Sequence, residues 1–380
     1  MSGLIALVVT LLLIATPAAA LEPVRVALGE GLRFVDVAVA DLVTVLDAGA
    51  RHPLFGVPGG RVIRVTPAGT GLELAAGGVA GERRRLALPG VRLETRRGPI
   101  RVGTREYAGA VEIWRAGEGL LLINELALEE YIAGTVRAEA SEKWPLPALR
   151  ALAVVARTYA VFHQQRNAVK PYHIVASSQH QNYAGLVHDG SPAWEATRDT
   201  AGQVLSWEGN VFPAFYHSDS GGFTEPPQLV FSGDGIPPFP GVRDEFSLES
   251  PHYAWTVTLP LAAVGERLRQ AGLDVGTITG LSVLERSPSL RVLKLAVEHS
   301  RGTSALRGAD FRRMIGYDVL RSTLFVPVLG RDGLVRFEGR GWGHGVGLSQ
   351  FGAKGMAERG YTYVQILEHY YPGAVLATLR

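Results

Sequence analysis

Glu139 and Glu142 are the residues of this chain whose surroundings best suit a reaction. Cleaving the acetal between two sugars needs a carboxylic acid that keeps its proton near neutrality, and an apolar setting provides this by penalising the carboxylate. Val136, Trp144 and an alanine-rich segment downstream offer Glu139 that setting. Most enzymes that break glycosidic bonds add a second carboxylate. Where a hydroxyl of the substrate attacks instead, one glutamate serves as acid and then base, since a tethered nucleophile already has a high effective concentration. Glu142 is either a solvated neighbour or that second carboxylate. A surface or helix-capping role for Glu139 is the alternative.

The elements that must hold Glu139 lie in residues 126–163, LALEEYIAGTVRAEASEKWPLPALRALAVVARTYAVFH. Leu128 and Ile132 share one helical face, and Gly134 is a natural place for that helix to stop or bend. Trp144 precedes a proline and is pushed out of the helical region, whereas Pro147 suits the first turn of a second helix. Leu149, Leu152, Ala153, Ala156 and Ala160 then recur at helical spacing and form a small-residue face for close packing. Arg157 falls beside that stripe, as a solvated edge residue or as the partner of a buried carboxylate.

Two further strings carry reactive side chains. Tyr216-His-Ser-Asp-Ser-Gly-Gly222 contains Asp-Ser-Gly-Gly, which is similar to the nucleophile segment of chymotrypsin-like proteases, yet no histidine upstream sits in a matching context. Gly339-Arg-Gly-Trp-Gly-His-Gly-Val-Gly347 fits neither phosphate-binding glycine pattern. Its alternating glycines let the backbone pass close to another surface, with Trp342 and His344 on one side, suited to stacking on a sugar ring and bonding to it. A tight structural turn is the alternative. His173, His180 and His188 fall close together in a loop-rich segment.

The 380 residues exceed one typical domain, and a net charge of +2 gives no reason to expect nucleic acid. The absence of cysteine excludes disulfides and thiolate chemistry. Residues 1–20, an apolar run ending in Ala18-Ala-Ala20, read as a secretory signal peptide, with an uncleaved membrane anchor as the rival. Either places the body outside the cytoplasm, secreted or in the envelope, touching membrane only through that segment.

Short β-type runs punctuated by Gly and Pro fill residues 21–97 and predict a small N-terminal β domain, a packing or binding module. Residues 98–380 form the second domain. Strands are expected at 100–102, 110–114 and 120–123, a helix at 194–200 and a hairpin pairing 204–207 with 211–216. Helical spacing recurs at 259–271, 306–314 and 360–371, with strands at 278–283 and 292–297. The class is α+β, a β-rich core with a few packed helices around a groove.

The stretch Leu128-Glu-Glu-Tyr131, Gly134, Glu139, Trp144-Pro145 and Ala156-Arg-Thr-Tyr-Ala160 resembles the core of the SpoIID/LytB family of bacterial cell-wall proteins. Tyr216 to Glu225, Leu306-Arg-Gly-Ala-Asp-Phe-Arg312 and Gly341 to Ala353 extend the resemblance over about residues 95 to 380. It implies a peptidoglycan lytic transglycosylase that cleaves between N-acetylmuramic acid and N-acetylglucosamine, preferably on strands without stem peptides, with Glu139 catalytic. Arg157, Gln181, Tyr216, His217, Ser220, Trp342, His344 and Gln350 are the implied substrate-binding residues. No cofactor is implied. Some members bind zinc through Cys and His in the loop holding His173 and His180, but Ile174 and His180 stand where the cysteines align, so no metal is expected and hydrogen bonds, through Gln181 among others, must hold the loop. LytB-like relatives imply the alternative, a non-catalytic wall-binding enhancer of an N-acetylmuramoyl-L-alanine amidase. Peptide hydrolysis through Ser220 is a third, remote reading.

Overall fold

A computed structural model describes residues 22–77, 81–178 and 180–379. The expected signal segment lies outside the described residues. Alternating burial along Val35–Val39 and Val62–Ala68 builds a six-stranded sheet, in the order Arg105–Tyr107, Ile100–Val102, Val35–Val39, Val62–Ala68, Gly71–Ala76, Glu82–Leu86. A seven-stranded sheet lies against it, ordered Ile174–Val175, Val24–Leu32, Gly119–Leu126, Ala110–Ala116, Gly90–Thr95, Val43–Asp47, Pro53–Val57. Val37, Val45, Ile63, Leu93, Ile113 and Leu122 from the two sheets share one core. The expected boundary between residues 97 and 98 is crossed by this pairing. Gly90–Thr95 pairs with Ala110–Ala116, and Val24–Leu32 pairs with the strand that feeds the first helix. The missed link is long-range, and local turn signals say nothing about it.

Helix α1 spans Leu128–Glu139 and α2 spans Leu146–Arg166, with a proline in the first turn of α2 as anticipated. Gly134 neither ends nor bends α1. It packs under Tyr183, where a Cβ would lie 2.4 Å from the ring and 2.6 Å from the Gly185 carbonyl oxygen. Glu139 is therefore the last residue of α1 rather than part of a turn.

From Ala151 to Val161 every residue of α2 is buried. Leu149, Leu152, Ala153, Ala156 and Ala160 face α1, as their spacing predicts. Ala148, Ala151, Val154 and Val155 face Met356, Ile366 and Tyr370 from the C-terminal helices. A helix apolar on both sides is central rather than peripheral, and each fully buried Leu or Val on it contributes about 1.5–3 kcal/mol. Helix α3, Pro192–Asp199, is capped by the Ser191 hydroxyl, which accepts from the Trp194 N–H, and packs against α1 and α2.

The expected hairpin after α3 is cut short. Gln203–Trp207 turns back only through Asn210–Val211, and Tyr216–His217 pairs instead, in parallel, with Leu348–Ser349. Between these two segments the chain forms a separate core around Trp255, Leu268, Phe311, Phe325 and Phe337. Two three-stranded sheets support it, Ala254–Pro260, Leu334–Arg340, Phe325–Leu329 and Ile278–Arg286, Val292–His299, Gly302–Arg307, together with helices Leu261–Gln270 and Gly308–Ile315. The architecture is α+β. No described helix is long and apolar enough to cross a membrane.

Candidate functional site

The end of α1 opens onto a groove of about 820 Å³. Glu139, His180, Asn182, Phe215, Tyr216 and His217 line one part, Trp342, His344 and Gln350 another, and Arg291, Arg307, Arg312 and Tyr317 a third. Glu139 is half-buried and both carboxylate oxygens are engaged. Oε1 accepts the Asn182 backbone N–H at 2.7 Å, and Oε2 accepts the Gln350 side-chain amide at 3.1 Å across 211 residues of sequence. Burial raises its pKa above the ordinary carboxylate value, against the lowering effect of the bonds from Asn182 and Gln350 and of the nearby Tyr216 hydroxyl. The acid thus has fixed orientation and a reason to hold its proton.

Tyr216 is brought beside Glu139 by the parallel pairing with Leu348–Ser349. Its hydroxyl is sealed from solvent near Glu139 and Gln181 without a well-formed hydrogen bond to either, and burial drives its pKa well above the ordinary tyrosine value. Gln181 sits behind it, accepting from the Tyr131 hydroxyl at 3.0 Å and donating to the Ala156 carbonyl at 3.4 Å. It is 1% exposed and braces the loop instead of meeting a ligand. His173 accepts the Arg25 N–H at 3.1 Å, and His180 rests edge-on to His163 with centroids 4.8 Å apart. His188 is exposed.

The glycine-rich return has Gly341, Gly343, Gly345 and Gly347 all at positive φ. At Gly345 a Cβ would lie 2.4 Å from the Arg291 guanidinium, so the bare backbone is what admits that side chain. His344 and His217 lie with ring centroids 5.4 Å apart. His344 Nδ1 accepts the Val346 N–H, and His217 Nδ1 lies 3.1 Å from the Val346 carbonyl oxygen, which makes that nitrogen the protonated one. Burial first, then the nearby arginines, push His344 down to about 3; burial and His344 push His217 well below its usual value. Both rings are neutral hydrogen-bonding groups. Trp342 lines the groove with the Arg321 guanidinium stacked at 4.9 Å.

Besides Gln181, two expected ligand contacts are corrected. Arg157 is fully buried and clamps Glu129 through Nε at 2.9 Å and Nη2 at 2.5 Å, with further bonds to the Thr197 and Gln203 carbonyls. It ties α1, α2 and α3 together and faces away from the groove. Ser220 is also fully buried, and its hydroxyl donates to Asp244 at 2.6 Å with no histidine beside it, which removes the protease-like reading. Glu142 lies outside the groove lining, 3.9 Å from Arg137. Glu225 does reach the groove, but Ser287 and Ser289 donate to it and Arg291 lies 3.7 Å away. Residue-type reading missed Asn182, which acts through its backbone, and Arg291, which carries no local signal. Arg312 ends one of the quoted motifs and received no role.

A groove-facing glutamate at a helix end thus has a glycine-rich return beside it, and family models match two parts of the chain. Residues 116–207 match the model described as Stage II sporulation protein, SpoIID, and residues 242–347 match a domain of unknown function, DUF8618. The matched domain and the relatives named below support the SpoIID/LytB resemblance. It is 28% identical over 269 residues to an uncharacterised protein of Brachyspira hyodysenteriae, covering 70% of this chain and 71% of that one. It is 29% identical over 269 residues to Stage II sporulation protein D of Bacillus amyloliquefaciens, 66% of this chain and 74% of the relative. It is 27% identical over 295 residues to the amidase enhancer of Bacillus subtilis, 65% of this chain but 40% of that protein.

Proposed function

We propose that this protein acts on the bacterial cell wall, outside the cytoplasm, as a lytic transglycosylase of peptidoglycan glycan strands. The observation that carries the reading is Glu139, half-buried at the groove, oriented through both oxygens and raised in pKa by burial. In the reaction, protonated Glu139 gives its proton to the bridging oxygen as the bond from C1 of N-acetylmuramic acid breaks. The C6 hydroxyl of the same sugar closes on C1, and Glu139 takes the hydroxyl proton, which restores the acid. No water is consumed, and the second groove carboxylate with a fixed position, Glu225, is already engaged by serines and an arginine. Tyr216, His217, His344 and Trp342 would position the sugars.

The test is glycan stripped of stem peptides, with mass analysis of the new ends. Wild type is expected to yield 1,6-anhydromuramic ends, lighter by one water than hydrolysed ends, and E139Q none; equal product from both overturns the assignment. The amidase enhancer among the relatives supports a second reading, a wall-binding partner of an amidase. That reading requires no product from the protein alone, and faster amidase turnover on its addition, in wild type and E139Q alike.

A further inference from the structure

The third part of the groove lining is cationic, and the reaction just described does not use it. Arg312 is buried and has no carboxylate within 4 Å among the described residues. Its guanidinium is nevertheless fixed: Nε donates to the Leu320 carbonyl at 2.8 Å, Nη2 donates to the Arg321 carbonyl at 2.7 Å, and Tyr317 lies under it at 4.6 Å. Nη1 is left with no protein acceptor among the described residues. Arg307 lines the same wall, exposed and with no ion pair among the described residues. Arg291, 1% exposed, spends Nη2 on the Ser220 and Phe223 carbonyls and leaves Nη1 and Nε without a hydrogen bond. Glu225 offsets the charge of Arg291, and Asp318, the other acid on this wall, acts on Arg312 from beyond ion-pair distance among the described residues. A buried, immobilised guanidinium with no carboxylate in ion-pair contact is expensive to keep unless a ligand supplies the anion.

We propose that Arg312, with Arg307 and the free edge of Arg291, forms a carboxylate subsite that takes the lactyl carboxylate of a muramic acid residue in the bound strand. The inference rests on the proposed glycan substrate and names which part of it this wall reads. N-acetylglucosamine offers no anion, whereas each muramic acid without a stem peptide offers one. A strand would then be read in register by alternating neutral and charged sugars, and a stem peptide, which ties up the carboxyl as an amide, would remove the feature being read.

The test uses the full chain carrying E139Q, so that binding is measured without turnover, and four ligands of equal length. These are peptide-free glycan, the same glycan with its lactyl carboxyls converted to methylamides, a chitin oligosaccharide, and peptide-bearing glycan. Peptide-free glycan should bind roughly ten- to hundredfold tighter than the other three at low salt, the range for one charge-assisted hydrogen bond. Adding R312M should level the four, R312K should keep part of the preference, and R307Q at its exposed position should reduce it. Retained chitin binding shows that each variant is folded. Equal affinities in the E139Q parent, a preference that survives R312M and R307Q, or tightest binding of peptide-bearing glycan overturns the subsite. Failure of the parent to bind any glycan overturns the proposed function itself.

Discussion

Replacing Arg157 separates a structural arginine from a ligand-binding one. In R157M the apolar volume is roughly kept, but Glu129 loses a two-pronged partner and the Thr197 and Gln203 carbonyls lose donors. Removing one member of a buried ion pair costs about 3–5 kcal/mol. The Glu129 side chain is 29% exposed, so water recovers part of its solvation and the lower end, about 3 kcal/mol, applies. At roughly 2–4 °C per kcal/mol for domains of this order of size, Tm should fall by about 6–12 °C. Thermal unfolding followed by circular dichroism reads this directly, and glycan binding measured well below the transition should be unchanged. A double variant, E129L with R157M, removes both charges and should recover part of the loss, since the Thr197 and Gln203 carbonyls still lack donors. Unchanged Tm together with lost glycan affinity would refute the assignment and return Arg157 to the substrate.

Glu139 predicts a pH-dependent stability. Because burial raises its folded pKa, the protonated carboxyl favours the fold fully below the unfolded value of about 4.3, and that favour is lost as pH rises through the folded value. E139Q should therefore melt higher than wild type near pH 7 and the same near pH 4; a pH-independent difference would contradict the burial argument. G134A forces a methyl into Tyr183 and the Gly185 carbonyl, and overpacking of this kind costs about 1–3 kcal/mol. It should lower both Tm and the rate of chain cleavage, since Glu139 closes the same helix; full activity with normal Tm would show that the contact yields.

Legibility in the sequence followed the range of the interactions. The two helices around Glu139 were readable because proline placement and the spacing of Leu149, Leu152 and Ala156 act within a few turns. Gly134 was misread because its reason, the Tyr183 ring, arrives from another segment. The strand at Tyr216 was assigned to a hairpin because its true partner, Leu348–Ser349, returns only after the whole second core. Glu139 and its neighbours Tyr216, His217, Trp342, His344 and Gln350 do meet at one groove. Arg157, Gln181 and Ser220 do not, because each is spent on polar groups elsewhere, a choice that residue type alone leaves undecided.

The two-residue parallel clasp between Tyr216–His217 and Leu348–Ser349 fixes both ends of the intervening segment at the groove. The segment between is not hung from that clasp alone: Asp244 holds Ser220, the Arg291 guanidinium lies against Gly345, and Trp342 and His344 line the groove, so rebuilding it rebuilds the groove. The packing of the second core and the shape of the groove are thus tuned together in this molecule.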